Sequence, residues 1–194
     1  MTCDFRLIEL IGALFALLYL WLEIRQRPAL WIVGIISSTF YVAIFYHGKF
    51  YADMALNGYY ILAGVYGLWM WRREFMRRRQ PQDATATIAV SRTTLAQALI
   101  LAGIAAALTV ILTRVLQQFT DSPVPFGDAL TTALSIVAMW MLAHKLIEQW
   151  FVWLAVNLIS TGLYFWRGLE PTAILYFIYS IASVIGYFQW KKKS

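Results

Sequence analysis

Cysteine and charged residues are both scarce in this chain. Among its 194 residues there is one cysteine, Cys3, and only 13% are charged. A single cysteine excludes a disulfide framework and a thiolate metal site within one chain. Soluble domains carry about 25% charged residues, so the composition predicts a chain that lies in a membrane.

Long apolar runs hold most of the 61% of residues that are hydrophobic. A helix needs about 20 largely apolar residues to cross the hydrocarbon layer. Seven segments qualify, so we predict an all-α membrane protein with seven transmembrane helices. Asp4 and Glu9 are acidic, unlike the start of a cleaved signal, so the first segment is predicted to stay in the protein. The approximate ranges are 5–24, 29–46, 50–71, 94–114, 126–143, 147–166 and 170–190.

The basic residues are distributed unevenly between the predicted loops. With seven spans, four Lys and Arg residues fall on one side of the membrane and twelve on the other. Basic loops stay in the cytoplasm, which predicts an outside N-terminus and a cytoplasmic C-terminus. The basic loop at 72–93 is predicted to anchor this topology and to contact anionic lipid headgroups. The net charge of +6 therefore reflects topology and does not indicate nucleic-acid binding.

Two parts of the chain resemble one another. "IISSTFYVAIFYHG" (35–48) aligns with "AVNLISTGLYFWRG" (155–168) at an offset of 120, and "YGLWMW" (66–71) with "IGYFQW" (185–190) at 119. Two triplets of helices joined by one linking helix have the same orientation, so we predict a 3+1+3 parallel repeat of the SWEET type. The predicted parts are a first repeat (1–71), a basic cytoplasmic loop (72–93), helix four with an external loop (94–125), and a second repeat with a basic tail (126–194).

Polar and aromatic residues form stripes on several predicted helices. Residues three or four positions apart share a helix face, and polar residues in a membrane usually face protein or water. Asn57 and Asn157 lie well inside aromatic-lined stripes, which favours contact with a substrate. Hydroxyl residues on the second and fifth spans are open to the alternative of helix packing. Trp31, Trp71 and Trp190 lie at span ends and are predicted to form interfacial belts. The predicted substrate-binding set is Trp150, Trp153, Asn157, Ser160, Thr161 and Tyr164 on the sixth span, Asn57 and Tyr60 on the third, Ser38 and Tyr41 on the second, and Ser135 on the fifth.

The centres of the predicted spans hold no Asp, Glu, Lys or Arg. Ion-driven carriers usually keep an ionisable group at depth, so the sequence predicts facilitated diffusion. A phosphate group would need Arg or Lys in the pathway, so we predict a phosphate-free cargo. Aromatic faces, amides and hydroxyls suit a flat heteroaromatic molecule that bears hydroxyl groups, and a cationic ring gains further from the aromatic faces.

Two blocks of the chain carry a resemblance to a known family: "GIISSTFYVAIFYHGKFYADMALNGYYILAGVYGLWMW" (34–71) and a block at 126–169 that begins "FGDALTTALSIVAMWMLAHKLIEQW". Both resemble the PnuC family of bacterial vitamin transporters. The resemblance implies a multi-pass protein of the bacterial inner membrane, often trimeric, that moves nicotinamide riboside by facilitated diffusion. It also implies that a cytoplasmic vitamin kinase phosphorylates and so traps the imported vitamin.

The chain departs from the nicotinamide riboside type at two positions. Members of that type commonly carry Asn within "GIIS" and Gln before "YY", where this chain has Ser37 or Ser38 and Asn57. These departures narrowly favour thiamine, the cargo of the PnuT branch, over nicotinamide riboside. Riboflavin is a third candidate.

Other seven-helix classes fit the sequence less well. A retinal protein needs a lysine within the seventh span, and 170–190 has none. An intramembrane enzyme needs a nucleophile–base pair or clustered metal ligands, whereas His47 and His144 fall on opposite predicted sides of the membrane. We therefore predict no catalytic residues, no metal site and no cofactor. A purely structural subunit would not need aromatic and amide stripes on repeated units.

Overall fold

The structure is a computed structural model that describes residues 15, 17–48, 51–77, 90–120 and 122–192. Within these residues the chain is all-α, with seven helices and no named strand. Cys3, most of the predicted first span and most of the 72–93 loop lie outside the described residues. The helices are α1 (17–24), α2 (Ala29–Gly48), α3 (Tyr51–Arg77), α4 (Leu95–Phe119), α5 (Pro125–Ala143), α6 (Gln149–Trp166) and α7 (Glu170–Lys191).

Two helices run past the apolar segments that predicted them. Helix α3 ends at Arg77 instead of residue 71, and α4 ends at Phe119 instead of residue 114. Arg and Gln are good helix formers, so they continue a helix after the hydropathy has fallen. Hydropathy therefore predicted the apolar part of each helix and missed its polar extension.

Local signals set the ends of the later helices. A capping box begins α4, where Gln97 N donates to Thr94 Oγ1 at 3.3 Å and Thr94 N donates to Gln97 Oε1 at 3.0 Å. Helix α5 begins with Pro125, whose missing N–H would be unpaired there in any residue. After α6, Gly168 has a φ of 73°, a value that only glycine adopts easily, and the chain turns into α7.

Several helices expose apolar surface of the kind that faces lipid. By length and composition, α4, α5 and the Thr172–Lys191 part of α7 could cross a membrane, and α2 contains a shorter apolar stretch, Ala29–Ala43. On α4 the exposed side chains include Leu95, Leu99 and Ile100. Exposed apolar surface on this scale marks contact with a membrane or a partner.

The chain divides into two compact units, residues 1–88 and 89–194. In the first unit α2 packs on α3. In the second unit α4 packs on α5, α5 on α6, and α6 on α7. The core of the second unit includes Ala105, Val137, Met141 and Leu146.

The start of α4 is tied to the turn between α5 and α6. Ser91 N donates to Lys145 O, and Ile147 N donates to Ser91 O, both at 3.0 Å. The carboxylate of Glu148 accepts from Thr93 N at 2.8 Å and from Thr93 Oγ1 at 2.7 Å. Hydrogen bonds to a charged acceptor are the stronger kind, so Glu148 holds the residues before α4 against the turn between α5 and α6.

The turn between α1 and α2 and the turn between α5 and α6 have the same backbone geometry. Gln26 has a φ of 56° and Lys145, 119 residues later, a φ of 54°. Gln26 N donates to Glu23 O, and Lys145 N donates to Leu142 O, in each case at 3.0 Å. The separation of 119 residues equals the offset between "YGLWMW" and "IGYFQW". Carried on along α2 and α6, it would pair Ser38, and not Ser37, with Asn157.

A pair of tryptophans packs between the two helices of each hairpin, α2–α3 and α6–α7. Trp31 and Trp71 meet at a centroid distance of 5.6 Å and 89°, and Trp150 and Trp190 at 5.6 Å and 86°. All four are at most 1% exposed. The prediction that Trp31, Trp71 and Trp190 form interfacial belts was wrong. A glycine on the facing helix opens a slot that takes the indole ring, Gly67 for the first pair and Gly186 for the second.

Candidate substrate site

The stripe on α6 faces α7 and forms three layers with it. Trp150 meets Trp190, Asn157 meets Ser183, and Tyr164 meets Tyr176. The α6 residues are seven positions apart, which is about 10 Å along a helix. A buried amide therefore lies between two aromatic layers in the second unit.

The middle layer is a chain of hydrogen bonds. Asn157 Nδ2 donates to Ser183 Oγ at 3.3 Å, and Ser183 Oγ donates to Tyr179 O at 2.9 Å. Asn157 is 6% exposed and Ser183 2%. A buried amide needs partners for both ends. Helix packing supplies one for the NH₂ group, while Oδ1 accepts no hydrogen bond from the described residues.

Tyrosines continue from this layer toward the far end of the hairpin. The rings of Tyr164 and Tyr176 are 5.1 Å apart, and those of Tyr176 and Tyr179 are 5.7 Å apart. Ring pairs at 4.5–7 Å attract one another, and such faces can also stack on a flat heteroaromatic ligand. The arrangement could hold a ring and hydrogen-bond its substituents.

Trp150, the first residue of the predicted set on α6, packs inside the α6–α7 hairpin. Its ring packs between Trp190 and Gly186, and among the described residues its buried Nε1 has no hydrogen-bond partner. The Gly186 slot makes Trp150 part of the hairpin core, and its contact with the substrate stays a prediction. Trp153, one turn later, is half-buried and donates from Nε1 to Gln149 Oε1 at 3.0 Å.

The other predicted residues are spread over both units. On α6, Ser160 is buried, and Thr161 is half-buried and donates to Asn157 O at 2.7 Å. On α5, buried Ser135 donates to Thr131 O at 2.8 Å, a bond within its own helix. In the first unit, Ser38 is buried on α2, Asn57 and Tyr60 are half-buried on α3, and Tyr41 is 44% exposed.

Three α7 residues at this site were missing from the predicted set. Tyr176 and Ser183 contact the α6 stripe, and Tyr179 contacts both of them within α7. Their spacing of three and four positions is the spacing that defined the stripe on α6. The same rule, applied to the seventh span, identifies them.

Comparison with known proteins decides the family. Residues 6–192 match the family described as "Nicotinamide mononucleotide transporter". The chain belongs to this family, here called the PnuC family. The resemblance of the two sequence blocks to PnuC proteins is thereby confirmed.

Named relatives, two PnuC proteins and one riboflavin transporter, match most of the chain. The nicotinamide riboside transporter PnuC of Escherichia coli is 23% identical, over 96% of this chain and 86% of the relative. PnuC of Neisseria mucosa is 28% identical, over 84% of this chain and 63% of the relative. The riboflavin/roseoflavin transporter RibM of Streptomyces davaonensis is 26% identical, over 96% of this chain and 85% of the relative.

A solved structure has the same fold. It is described as a crystal structure of the vitamin B3 transporter PnuC, and it aligns with a TM-score of 0.71 and 25% identity over 94% of this chain and 79% of its own. These relatives are named as transporters and not as enzymes. The chain is therefore a PnuC-type vitamin transporter, a multi-pass protein of the bacterial inner membrane.

Proposed function

We propose that this PnuC-family protein takes up nicotinamide riboside by facilitated diffusion. The observation that carries the proposal is the buried amide of Asn157 between aromatic layers, in a chain whose PnuC relatives are named for nicotinamide riboside. These names favour nicotinamide riboside over thiamine, which the departures at Ser37 or Ser38 and Asn57 had narrowly favoured.

The charge pattern supports a riboside without a phosphate group. The family description names the mononucleotide, which carries a phosphate. A phosphate is held by Arg or Lys in proteins, yet the middle parts of the described helices contain neither. The cationic pyridinium ring of the riboside would instead gain from aromatic faces such as those of Tyr164 and Tyr176.

The same pattern supports uncoupled transport. Glu23, Asp128, Glu148 and Glu170 all lie near helix ends, whereas coupled carriers usually hold an ionisable group at depth. A cytoplasmic vitamin kinase would then retain the vitamin by phosphorylating it. Our proposal also includes a 3+1+3 parallel repeat, an outside N-terminus, a cytoplasmic C-terminus and a homo-oligomer, a trimer by resemblance. The equal turns and tryptophan pairs of the two units support the repeat.

Thiamine is the second candidate, and the polar residues of the first unit favour it. Ser38 and Asn57 stand where nicotinamide riboside transporters commonly carry Asn and Gln. Thiamine is also a phosphate-free cationic heteroaromatic molecule with a hydroxyl group. The relative RibM adds riboflavin to the ligands that a test must include.

A binding titration separates these cargoes. Purified protein in detergent is titrated with nicotinamide riboside, nicotinamide mononucleotide, thiamine and riboflavin while tryptophan fluorescence is recorded. We expect the riboside to bind at least tenfold more tightly than the mononucleotide, a difference of about 1.4 kcal/mol. Tighter binding of thiamine or riboflavin would overturn the proposed cargo, and tight binding of the mononucleotide would contradict the charge argument.

A further inference from the structure

The hydroxyl group of Ser183 already donates its single proton to a backbone carbonyl. Ser183 Oγ donates to Tyr179 O at 2.9 Å, within α7. A serine hydroxyl has one proton and two lone pairs. Toward α6, Ser183 therefore presents lone pairs only, and the atom of Asn157 that faces it must be a donor.

The hydrogen bond from Ser183 to Tyr179 O determines the orientation of the Asn157 amide. Nδ2 lies 3.3 Å from Ser183 Oγ and donates to it. If the amide turned over, Oδ1 would face a lone pair, or Ser183 would have to give up its bond to Tyr179 O. Both groups are buried, so water does not readily replace the lost bond.

Two further hydroxyl groups, one on each helix, donate their proton to a backbone carbonyl in the same way. Thr161 Oγ1 donates to the backbone O of Asn157 at 2.7 Å, and Ser180 Oγ donates to Tyr176 O at 3.1 Å. Neither has a proton left for Asn157 Oδ1, which accepts no hydrogen bond from the described residues. Oδ1 is not completely buried, so a donor from a ligand could reach it.

We propose that Ser183 is a positioning residue that turns the carbonyl oxygen of Asn157 toward a hydrogen-bond donor on the cargo. The inference rests on the proposed function, because it concerns the same site. The positioning of Asn157 also gives the site a selectivity, because Oδ1 accepts a hydrogen bond and so favours ligands with a donor at that position. The carboxamide NH₂ of nicotinamide riboside is such a donor, whereas a carboxylate in its place offers only acceptors.

The test compares two α7 serines and two ligands. Ser183→Ala removes the acceptor that holds Nδ2, and Ser183→Thr keeps a hydroxyl that can bond to the carbonyl four residues earlier. Ser180→Ala is the matched control, because Ser180 is a buried α7 serine with the same kind of backbone bond but no bond to Asn157. The ligands are nicotinamide riboside and its analogue with a carboxylate in place of the carboxamide.

We expect Ser183→Ala to weaken riboside binding about fivefold to tenfold, because the freed amide can turn over. The same freedom lets Nδ2 face the carboxylate, so the preference for the riboside over the analogue should narrow several-fold. Ser183→Thr and Ser180→Ala should keep the wild-type affinity and preference. If Ser183→Ala does not fold, Ser183→Cys carries the same expectation, since a thiol is a weak acceptor of similar size.

Three results would overturn the positioning role. They are an unchanged preference in Ser183→Ala or its Cys substitute, an equal loss of affinity for both ligands, or the same change in Ser180→Ala. Failure of the proposed cargo is seen separately, in wild-type protein that binds thiamine or riboflavin and not the riboside. In that case the affinity for thiamine or riboflavin tests the positioning role of Ser183. Weaker binding by Ser183→Ala, with unchanged binding by Ser180→Ala, supports the role, and any other result overturns it.

Discussion

Gly186 faces the ring of Trp150 across the α6–α7 hairpin, so Gly186→Ala tests how tightly that ring is held. A Cβ atom at position 186 would lie 2.5 Å from Cη2 of Trp150 and 2.6 Å from Cζ2 and Cζ3. Carbon atoms pack best at about 3.5–4.0 Å, so the ring or the helix must move. Trp150 is 1% exposed and contacts Trp190 edge to face, which leaves the ring little room to withdraw.

The expected loss of stability follows from two opposing effects. Overpacking a close-packed core costs about 1–3 kcal/mol, while replacing glycine by alanine inside a helix gains up to about 1 kcal/mol. The net loss is about 1–2 kcal/mol, which lowers the melting temperature of a chain of this size by about 2–8 °C. Thermal unfolding in detergent, followed by tryptophan fluorescence, measures it.

Two other helical glycines provide the matched controls. A Cβ at Gly103 on α4 or at Gly162 on α6 would meet nothing within 4 Å. Gly103→Ala and Gly162→Ala should therefore leave the melting temperature unchanged or raise it by up to about 4 °C. Gly67→Ala should behave like Gly186→Ala, because the ring of Trp31 occupies the same place in the first unit. If Gly186→Ala proved as stable as Gly162→Ala, the packing role of Trp150 would be refuted.

Three further predictions concern the α4 entry and the site. Glu148→Gln should lower the free energy of unfolding by about 1–3 kcal/mol, because Thr93 loses a charged acceptor; an unchanged melting temperature would show that this contact does not stabilise the second unit. Thr94→Ala removes the capping box with Gln97 and should cost about 1 kcal/mol, and thermal stability equal to that of wild type would count against the cap. Asn157→Ala should weaken vitamin binding at least tenfold, about 1.4 kcal/mol, when titrated by fluorescence; a folded variant with unchanged affinity would remove Asn157 from the site.

The helices could be predicted from the sequence because lipid imposes a simple requirement on length and polarity. The predicted ranges 126–143 and 170–190 differ from α5 and α7 by at most one residue at either end. Hydropathy failed where the helix outlasts the apolar run, as at Arg77 and Phe119. Helix propensity continues beyond the membrane, so polarity alone does not mark the end of a helix.

The site was less predictable, because it depends on which helices pack together. The stripe on α6 identified Asn157 but not its partner Ser183, because pairing across an antiparallel hairpin requires the register of both helices. The place of Trp150 in that stripe did not reveal that its ring packs inside the hairpin. Its burial depends on Gly186, which is 36 residues away in the chain and faces the ring only after the hairpin forms.

Uptake by purified protein in liposomes distinguishes facilitated diffusion of nicotinamide riboside from ion-driven transport. Labelled nicotinamide riboside is supplied outside vesicles that contain wild-type protein or Asn157→Ala, with and without an imposed pH or sodium gradient. We predict that wild-type vesicles fill to the external concentration and no further under every condition, and that Asn157→Ala slows the filling. Accumulation above the external concentration when a gradient is imposed, or the absence of riboside uptake by folded wild-type protein, would contradict this prediction.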